Sequence, residues 1–215
     1  MKKKLKKLVI FGAGSSGKEI KQLVDEINDK SNTWEIIGFI DKNQKLIDKK
    51  IKGIKVYKEI SEFKNQEINW VCSIMNPKIK KKICKNINKK YKAINLLHPS
   101  VRVPNDLKIG KGNVIFSNIH LSYEVRLGSH CMISFGCDIG HNSIISNYNS
   151  IMPGSIINGF TLIGEACVVG SGSIINTKIK IGKESIIGSG SFIFENVKNK
   201  TSVFNLPRQI KKSIK

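Results

Sequence analysis

Arginine is scarce in this chain of 215 residues, although the net charge is strongly positive. Lys and Arg together number 37 against 16 Asp and Glu, which gives a formal net charge of +21, and Arg occurs only at Arg102, Arg126 and Arg208. Proteins that bind nucleic acid usually combine Arg forks with aromatic rings that stack on bases. Neither accompanies the Lys runs. We therefore predict no nucleic-acid partner and interpret the lysines as solvated faces that are compatible with a long anionic ligand.

Paired cysteines and long apolar runs are also missing. The five Cys residues are odd in number and show no CxxC spacing, which favours neither a disulfide framework nor a zinc site and is typical of a reducing compartment. No segment approaches the roughly 20 uninterrupted apolar residues that a membrane helix needs. The N-terminal lysines and the apolar run after them superficially resemble a signal peptide, but Gly12, Gly14 and Gly17 halt the run, which fits a buried strand better. The sequence predicts a cytoplasmic protein with no membrane partner and no metal.

The first part of the chain alternates apolar runs with amphipathic stretches. The run from Leu8 to Phe11 is typical of a parallel strand that is buried on both faces, and it ends in the loop Gly12-x-Gly14-x-x-Gly17. Apolar residues at helical spacing from Ile20 to Ile27 predict a helix after the loop. Further strands are predicted over residues 34–40, 69–75 and 93–97, and a Lys-rich helix over residues 78–90. This order predicts a Rossmann-like α/β domain over residues 1–97.

The second part of the chain has a period of six. An aliphatic residue recurs at every sixth position from Ile109 to Ile193, and the same phase extends backwards to Val103 and Leu97. Gly is common at the second position of each hexad, and the fifth position is usually small or β-branched. This pattern is the hexapeptide repeat of parallel β-helices, in which each hexad forms one side of a triangular prism. We expect this β-helix over residues 98–200 and a basic tail over residues 201–215.

The whole arrangement resembles one family. The glycine-rich βα unit, the strand that ends at Asp41, the His98-Pro99-Ser100 junction and the hexads are similar to the sialic acid O-acetyltransferases and UDP-amino-sugar N-acetyltransferases. The resemblance covers nearly all of the chain. It implies a left-handed parallel β-helix, acetyl-CoA as co-substrate and a homotrimer with active sites between subunits. It also implies that the acceptor is a nucleotide-linked amino sugar for bacterial surface glycan synthesis.

The segment Gly140-His141-Asn142 matches the place where this family carries its catalytic His. A sugar amine or hydroxyl that attacks a thioester must lose a proton, and neutral imidazole suits that task near pH 7. Relatives commonly have a carboxylate and a second His where this chain has Asn142 and Ser150. An amide orients an imidazole but does not stabilise imidazolium as a carboxylate does. Since an amine tolerates that loss better than a hydroxyl, we favour N-acetylation over O-acetylation.

The resemblance also implies the binding residues. The amide of Gly159 would hold the thioester carbonyl and the oxyanion that develops from it. The residues implied for coenzyme A are Ser150, Gly154, Gly159, Gly172, Gly190 and Arg208. Those implied for the nucleotide sugar are Gly12, Gly14, Ser15, Ser16, Gly17, Asp41, Asn76 and Lys80.

Several other classes stay open on the sequence alone. A sialic-acid-type O-acetyltransferase would use the same site, and a non-catalytic scaffold that binds sugar nucleotides would explain Asn142 and Ser150. An NAD-dependent oxidoreductase would use the glycine loop and Asp41. A zinc site like that of the trimeric β-helix carbonic anhydrases needs three converging imidazoles. The four His residues lack the His-x-x-x-x-His pair of those enzymes.

Overall fold

The α/β domain comes first in the computed structural model, which describes residues 4–87 and 91–205. Its sheet is assembled from short strands connected by two helices and a hairpin. Neither helix in the described ranges provides an apolar stretch of bilayer length. The elements are β1 (Lys6–Phe11), α1 (Ser15–Ser31), β2 (Trp34–Ile40), β3 (Lys50–Ile51), β4 (Ile54–Tyr57), a 3-10 turn (Ile60–Phe63), β5 (Asn69–Cys72), α2 (Pro77–Asn86) and β6 (Lys92–Ala93).

The sheet has the order β3-β4-β2-β1-β5-β6, and all its pairs are parallel except the β3–β4 hairpin. The central strand β1 is buried on both faces from Leu8 to Phe11, as its continuous apolar run predicts. Helix α1 buries Ile20, Leu23 and Val24. Because β2 and β5 flank β1, the connections reverse direction beside β1. In doubly wound folds, ligands bind at this switch point, outside the carboxyl ends of the strands.

Two predicted strands differ from the structure. The strand expected over residues 69–75 ends at Cys72, because the Ser73 hydroxyl turns back to donate to the carbonyl oxygens of Phe11 and Gly12 at 2.8 and 3.1 Å. The single strand expected over residues 93–97 is wrong. Strand β6 pairs with β5 in the α/β sheet, whereas Leu96–Leu97 pairs with the β-helix. The helix expected over residues 78–90 ends at Asn86, and residues 88–90 lie outside the described ranges.

A parallel β-helix follows, built from two-residue strands that form three faces. Strands on one face pair with strands 18 residues away, as Leu121 pairs with Ile139. Face 1 contains β7 (Leu96–Leu97), β9 (Val114–Ile115), β12 (Met132–Ile133), β15 (Ser150–Ile151), β18 (Val168–Val169), β21 (Ile186–Ile187) and β23 (Ser202–Val203). Face 2 contains β10 (His120–Leu121), β13 (Asp138–Ile139), β16 (Ile156–Ile157), β19 (Ile174–Ile175) and β22 (Phe192–Ile193). Face 3 contains β8 (Lys108–Ile109), β11 (Arg126–Leu127), β14 (Ile144–Ile145), β17 (Leu162–Ile163) and β20 (Lys180–Ile181).

The first position of each hexad points into the axis of the prism. These side chains are buried from Ile115 through Ile193, and each fully buried aliphatic side chain stabilises the fold by about 1.5–3 kcal/mol. Leu97 begins the column, as the backward extension predicts. Val103 does not belong to it, because it is 48% exposed. Between β7 and β8 the backbone forms only an isolated bridge, from Arg102 to His120, and therefore makes no regular side of the prism there.

The fourth position of each hexad is the corner residue. From Gly112 to Gly190, the residue at the fourth position of each hexad has a positive φ. This holds even for residues with side chains, such as Glu124 (φ 56°) and Asn142 (φ 58°). Small polar side chains at the fifth position support the corners from inside. The Ser143 hydroxyl donates to the Asn158 carbonyl at 3.1 Å, and other fifth positions repeat this contact. The hexad pattern therefore reflects both an apolar axis and internally bonded corners.

Candidate active site

The predicted catalytic residues lie at the corner between faces 2 and 3, which we call the His141 corner. It contains residues 122–124, 140–142, 158–160 and 176–178 of successive coils. Because equivalent positions are 18 residues apart, the third hexad positions stack in one column and the fourth positions in the next. The third-position column is Tyr123, His141, Gly159 and Thr177, and the fourth-position column is Asp106, Glu124, Asn142, Phe160 and Lys178.

The His141 imidazole is held between two aromatic rings. The Tyr123 ring stacks on it with centroids 5.1 Å apart and planes 6° apart. The Phe160 ring meets it edge-on, with centroids 5.0 Å apart and planes at 88°. The imidazole is partly buried. The two aromatic contacts fix the plane of the ring.

A hydrogen-bonded chain leads away from the Nδ1 side of the ring. Nδ1 of His141 lies 2.9 Å from Oδ1 of Asn142. The Nδ2 amide of Asn142 donates in turn to the Glu124 carboxylate, one coil earlier. An amide oxygen can only accept, so Nδ1 of a neutral His141 carries the proton. Nε2 is then the unprotonated nitrogen and can act as a base.

Gly159 lies beside the opposite edge of the ring. A β-carbon on Gly159 would come within 2.8 Å of both Cε1 and Nε2 of His141. Third hexad positions elsewhere hold Lys, Ser, Phe, Asn, Pro and Glu, so the backbone does not require glycine here. The Gly159 carbonyl accepts from the Thr177 hydroxyl at 2.8 Å and the Lys178 amide at 3.0 Å. Its own N–H donates to no acceptor within residues 4–87 and 91–205.

A column of glycines marks the corner between faces 1 and 2, on the other side of face 2 from His141. Gly154, Gly172 and Gly190 stack there at 18-residue intervals with φ between 64° and 68°. A β-carbon on any of the three would meet no atom within 4 Å. Within the described residues, no part of this chain makes the close approach to these glycines that the sequence predicts. The column instead presents exposed backbone along the prism.

The glycine loop lies at the switch point of the α/β sheet. Gly14 is the N-cap of α1 and makes no side-chain cap, and Ser15 is exposed beside the first free N–H groups of the helix. Gly17 packs so closely on the loop that a β-carbon would lie 2.2 Å from the Gly12 carbonyl oxygen. Ser16, the remaining predicted loop residue, is half-buried in the first turn of α1. Such a helix N-terminus favours an anion.

Asp41 and Asn76 use their side chains to shape this edge of the sheet. The Asp41 carboxylate accepts from the amides of Ala13 and Asn43, both at 2.9 Å. Asn76 caps α2 by accepting from the amides of Lys78 and Ile79, both at 3.1 Å. In this structure Asp41 therefore fixes the loop to the end of β2, and Asn76 orients a second helix N-terminus beside β5.

Lys80 and Ser150 lie together between the two domains. The Lys80 ammonium donates to the Asn149 carbonyl at 3.0 Å and to the Ser150 hydroxyl at 2.8 Å, and the Ser150 hydroxyl donates to the Met75 carbonyl at 2.7 Å. Both side chains are almost fully buried. Burial lowers the pKa of Lys80. The resemblance implied the nucleotide sugar as ligand of Lys80 and coenzyme A as ligand of Ser150, whereas here the two side chains bond to each other. Arg208, the last predicted coenzyme A residue, lies outside the described residues.

His130 is the interface residue that sequence reasoning did not single out. It stacks between Trp70 and Tyr148, with ring centroids 5.2 and 5.5 Å away. Burial, together with the positive charges of Lys111 and Lys80, lowers its pKa to about 4. Its ring thus packs as a neutral aromatic group that joins the domains. A signal was present in the sequence, because His130 and Tyr148 are 18 residues apart.

The four histidines occupy separate surroundings. His98 contacts a carboxylate of α1, His120 pairs with Asp138 on face 2, His130 is buried and His141 is at its corner. Within residues 4–87 and 91–205, no group of His, Cys, Asp or Glu is arranged to hold a metal ion. All five Cys residues are free and buried.

Comparison with known proteins gives matches to both parts of the chain. Residues 7–87 match the family described as "PglD N-terminal domain". Residues 160–195 match "Bacterial transferase hexapeptide (six repeats)". The chain is 28% identical over 165 residues to the GDP-perosamine N-acetyltransferase of Escherichia coli O157:H7, an alignment that covers 75% of this chain and 74% of that protein.

Solved structures share the complete architecture. The acetyltransferase domain of PglB from Neisseria gonorrhoeae FA1090, in complex with acetyl coenzyme A, has a TM-score of 0.83 at 21% identity and covers 93% of this chain and 96% of its own. PerB from Caulobacter crescentus, in complex with CoA and GDP-perosamine, has a TM-score of 0.85 at 17% identity and covers 97% of this chain and 99% of its own. The fold prediction, an α/β domain followed by a parallel β-helix, is thereby confirmed.

Proposed function

Because the chain belongs to the hexapeptide-repeat sugar acyltransferases with an N-terminal Rossmann-like domain, we propose that it transfers an acetyl group from acetyl-CoA to the amino group of a nucleotide-linked sugar for bacterial surface glycan synthesis. The observation that carries this proposal is the geometry of His141. Its Nδ1 lies 2.9 Å from Asn142 Oδ1, and its Nε2 lies beside Gly159, where the missing side chain leaves room.

The reaction needs one base and one oxyanion donor. The sugar amine attacks the thioester carbonyl, a C–N bond forms and the amine proton passes to Nε2 of His141. The C–S bond then breaks, and the coenzyme A thiolate takes the proton from the imidazolium as it leaves. The free N–H of Gly159 is suited to bind the oxyanion of the intermediate, a contribution that is typically worth about 3–4 kcal/mol in acyl transfer.

The two substrates would approach from different parts of the molecule. The open N-terminus of α1 behind Gly14 suits the diphosphate of the nucleotide sugar, and the loop held by Asp41 supports it. The glycine column from Gly154 to Gly190 suits coenzyme A, because a flat backbone with free corners lets a long ligand lie against the prism. Face 2 connects this column to the His141 corner.

A homotrimer would complete the site. Large apolar side chains are exposed on the faces that meet at the His141 corner: Ile144 and Leu162 on face 3, Ile156 and Phe192 on face 2, and Phe160 at the corner itself. Exposed apolar side chains in such numbers are typical of surfaces that pack against another protein. A neighbouring subunit against these faces would enclose coenzyme A between two prisms.

A sialic-acid-type O-acetyltransferase is the second candidate. The observation in its favour is the Glu124 carboxylate behind Asn142, which lessens the difference between this site and one with a carboxylate directly on the His. Turnover on matched amino and hydroxy sugars separates the two reactions, and faster transfer to the hydroxyl would refute N-acetylation.

Thiol release from acetyl-CoA tests the proposal. The assay uses UDP-, dTDP- and GDP-linked amino sugars with the wild type, with His141→Ala and with His98→Ala as a matched control, since the His98 ring contacts Glu26 of α1. We expect transfer to at least one amino sugar, a loss of at least about 100-fold in His141→Ala, and wild-type turnover in His98→Ala. No thiol release with any acceptor would favour the non-catalytic scaffold. Equal loss in both variants would remove His141 as the base.

A further inference from the structure

Glu124 lies at the end of the hydrogen-bonded chain that begins on His141. Its carboxylate accepts from the Asn142 amide, and Asn142 Oδ1 accepts from His141. Glu124 is one coil earlier than Asn142. The sequence has no carboxylate directly after His141, but the fold places that of Glu124 behind Asn142.

The orientation of the Asn142 amide follows from the chemistry of its neighbour. A side-chain amide can present either its oxygen or its nitrogen to a histidine, and the two choices select opposite imidazole tautomers. A carboxylate can only accept, so it selects the Asn142 nitrogen for itself. The oxygen must then face His141, which places the proton on Nδ1 and leaves Nε2 free.

We propose that Glu124 is a positioning residue, which acts through Asn142 to hold His141 in the tautomer whose Nε2 can accept the proton of the acceptor sugar. This inference rests on the proposed function, because it assigns Glu124 to the same site and the same step. Glu124 touches no reacting atom. Its role is to hold the Asn142 amide in a single orientation, with the oxygen towards His141.

The local structure holds Glu124 in place for this role. Glu124 is a corner residue with φ 56°, and its backbone N–H donates to the Asp106 carboxylate at 2.9 Å. A cavity of about 370 Å³ over face 3 is lined by Asp106, Lys108, Glu124, Arg126, Asn142 and Ile144.

The size of the effect follows from exposure. The Glu124 side chain is exposed, so water screens its charge and the carboxylate stabilises imidazolium less than a buried one would. Fixing the tautomer is therefore the larger part of its role. We expect Glu124→Gln to lower kcat about tenfold with little change in KM, since the hydrogen bond to a charged acceptor is replaced by a neutral one that fits either amide orientation.

The test compares Glu124→Gln with Glu184→Gln, which makes the same change at the same hexad position and the same left-handed φ (59°) at another corner. Asn142→Asp is then added to each variant. A carboxylate directly on Nδ1 makes Glu124 unnecessary, so we expect Glu124→Gln/Asn142→Asp to regain kcat to within about threefold of the wild type. Nitrogen-15 NMR of the His141 ring above neutral pH supplies a readout independent of activity.

The NMR spectrum of the wild type should show the Nδ1–H tautomer, and Glu124→Gln should show a mixture of both. Wild-type kcat and an unchanged tautomer in Glu124→Gln would overturn the proposal. So would a loss of kcat that Asn142→Asp does not restore, because that result indicates a structural defect. If the wild type releases no thiol, the proposed function fails, and the tautomer measurement still decides whether Glu124 orients the ring.

Discussion

Gly159 is the position where one added methyl group should separate catalysis from folding. The φ of Gly159 lies outside the left-handed region, and third hexad positions tolerate large residues, so Gly159→Ala brings no backbone strain. The new β-carbon would lie 2.8 Å from Nε2 and Cε1 of His141, where ordinary contacts are 3.4 Å or longer. The imidazole must therefore move by about 0.6 Å, the difference between those two distances.

A displacement of that size affects the reaction much more than it affects stability. A misplacement of about 1 Å can cost about 100-fold in rate, so we expect kcat of Gly159→Ala to fall at least tenfold. The ring lies at the surface and can yield, so the free energy of unfolding should fall by less than about 1 kcal/mol. The assay is thiol release at saturating acetyl-CoA and acceptor, combined with urea unfolding of the same samples.

Two controls identify the cause of the loss. Ser117→Ala gives the same side chain at the same hexad position at another corner, and it should keep wild-type turnover. Adding Gly159→Ala to His141→Ala should cost nothing further in rate, because the ring that the methyl group displaces is then absent. Turnover of Gly159→Ala within about twofold of the wild type would refute the reasoning that this glycine makes room for the imidazole.

Three further predictions concern stability. Gly17→Ala should lower the free energy of unfolding by about 2 kcal/mol or more, because its β-carbon meets a backbone oxygen, whereas Gly14→Ala, with open space around it, should cost under about 1 kcal/mol. Lys80→Ala should cost about 3 kcal/mol in the same urea titration, because it leaves a cavity between the domains and removes the hydrogen bonds to the Asn149 carbonyl and the Ser150 hydroxyl, and exposed Lys78→Ala should stay within about 0.5 kcal/mol. His130 has a folded pKa of about 4, below its unfolded value of 6.5, so its contribution to stability is complete above pH 6.5 and is lost as the pH falls towards 4. Thermal unfolding at pH 7 and pH 5 should therefore differ more in the wild type than in His130→Gln, and equal differences would contradict this assignment.

Local pattern predicts most of the fold because the β-helix is nearly one-dimensional. Each hexad repeats one rule, and the buried axis from Ile115 to Ile193 follows directly from it. Pattern fails where the two domains join. The apolar stretch over residues 93–97 reads as one strand, but Asn95 divides it by bonding to the Gly110 carbonyl and the Asn113 amide of the β-helix. Local periodicity carries no information about which sheet a strand will join.

The site shows the same division between local and distant information. The candidate base His141 is recognised from a short segment of sequence, because its immediate neighbours and the proton transfer that acyl transfer needs are enough to identify it. The contact between Lys80 and Ser150 is not, since it depends on how α2 docks against face 1. Glu124 is an intermediate case. It is distant in the sequence from His141, but the coil length of 18 residues places it beside Asn142.

That spacing makes the His141 corner a site whose parts can be changed independently. The neighbour one coil before Asn142 in the fourth-position column sets the tautomer of the base in our proposal, as Glu124 does through the Asn142 amide. The neighbour one coil later in the third-position column sets the space in front of it, as Gly159 does. Because the two neighbours act on opposite sides of one ring, the tautomer and the position of the ring should change independently. We therefore expect the losses of kcat in Glu124→Gln and Gly159→Ala to multiply in the double variant. A double variant no slower than Gly159→Ala alone would mean that a displaced ring has already left Asn142, and that the tautomer and the position of His141 are set by a single contact.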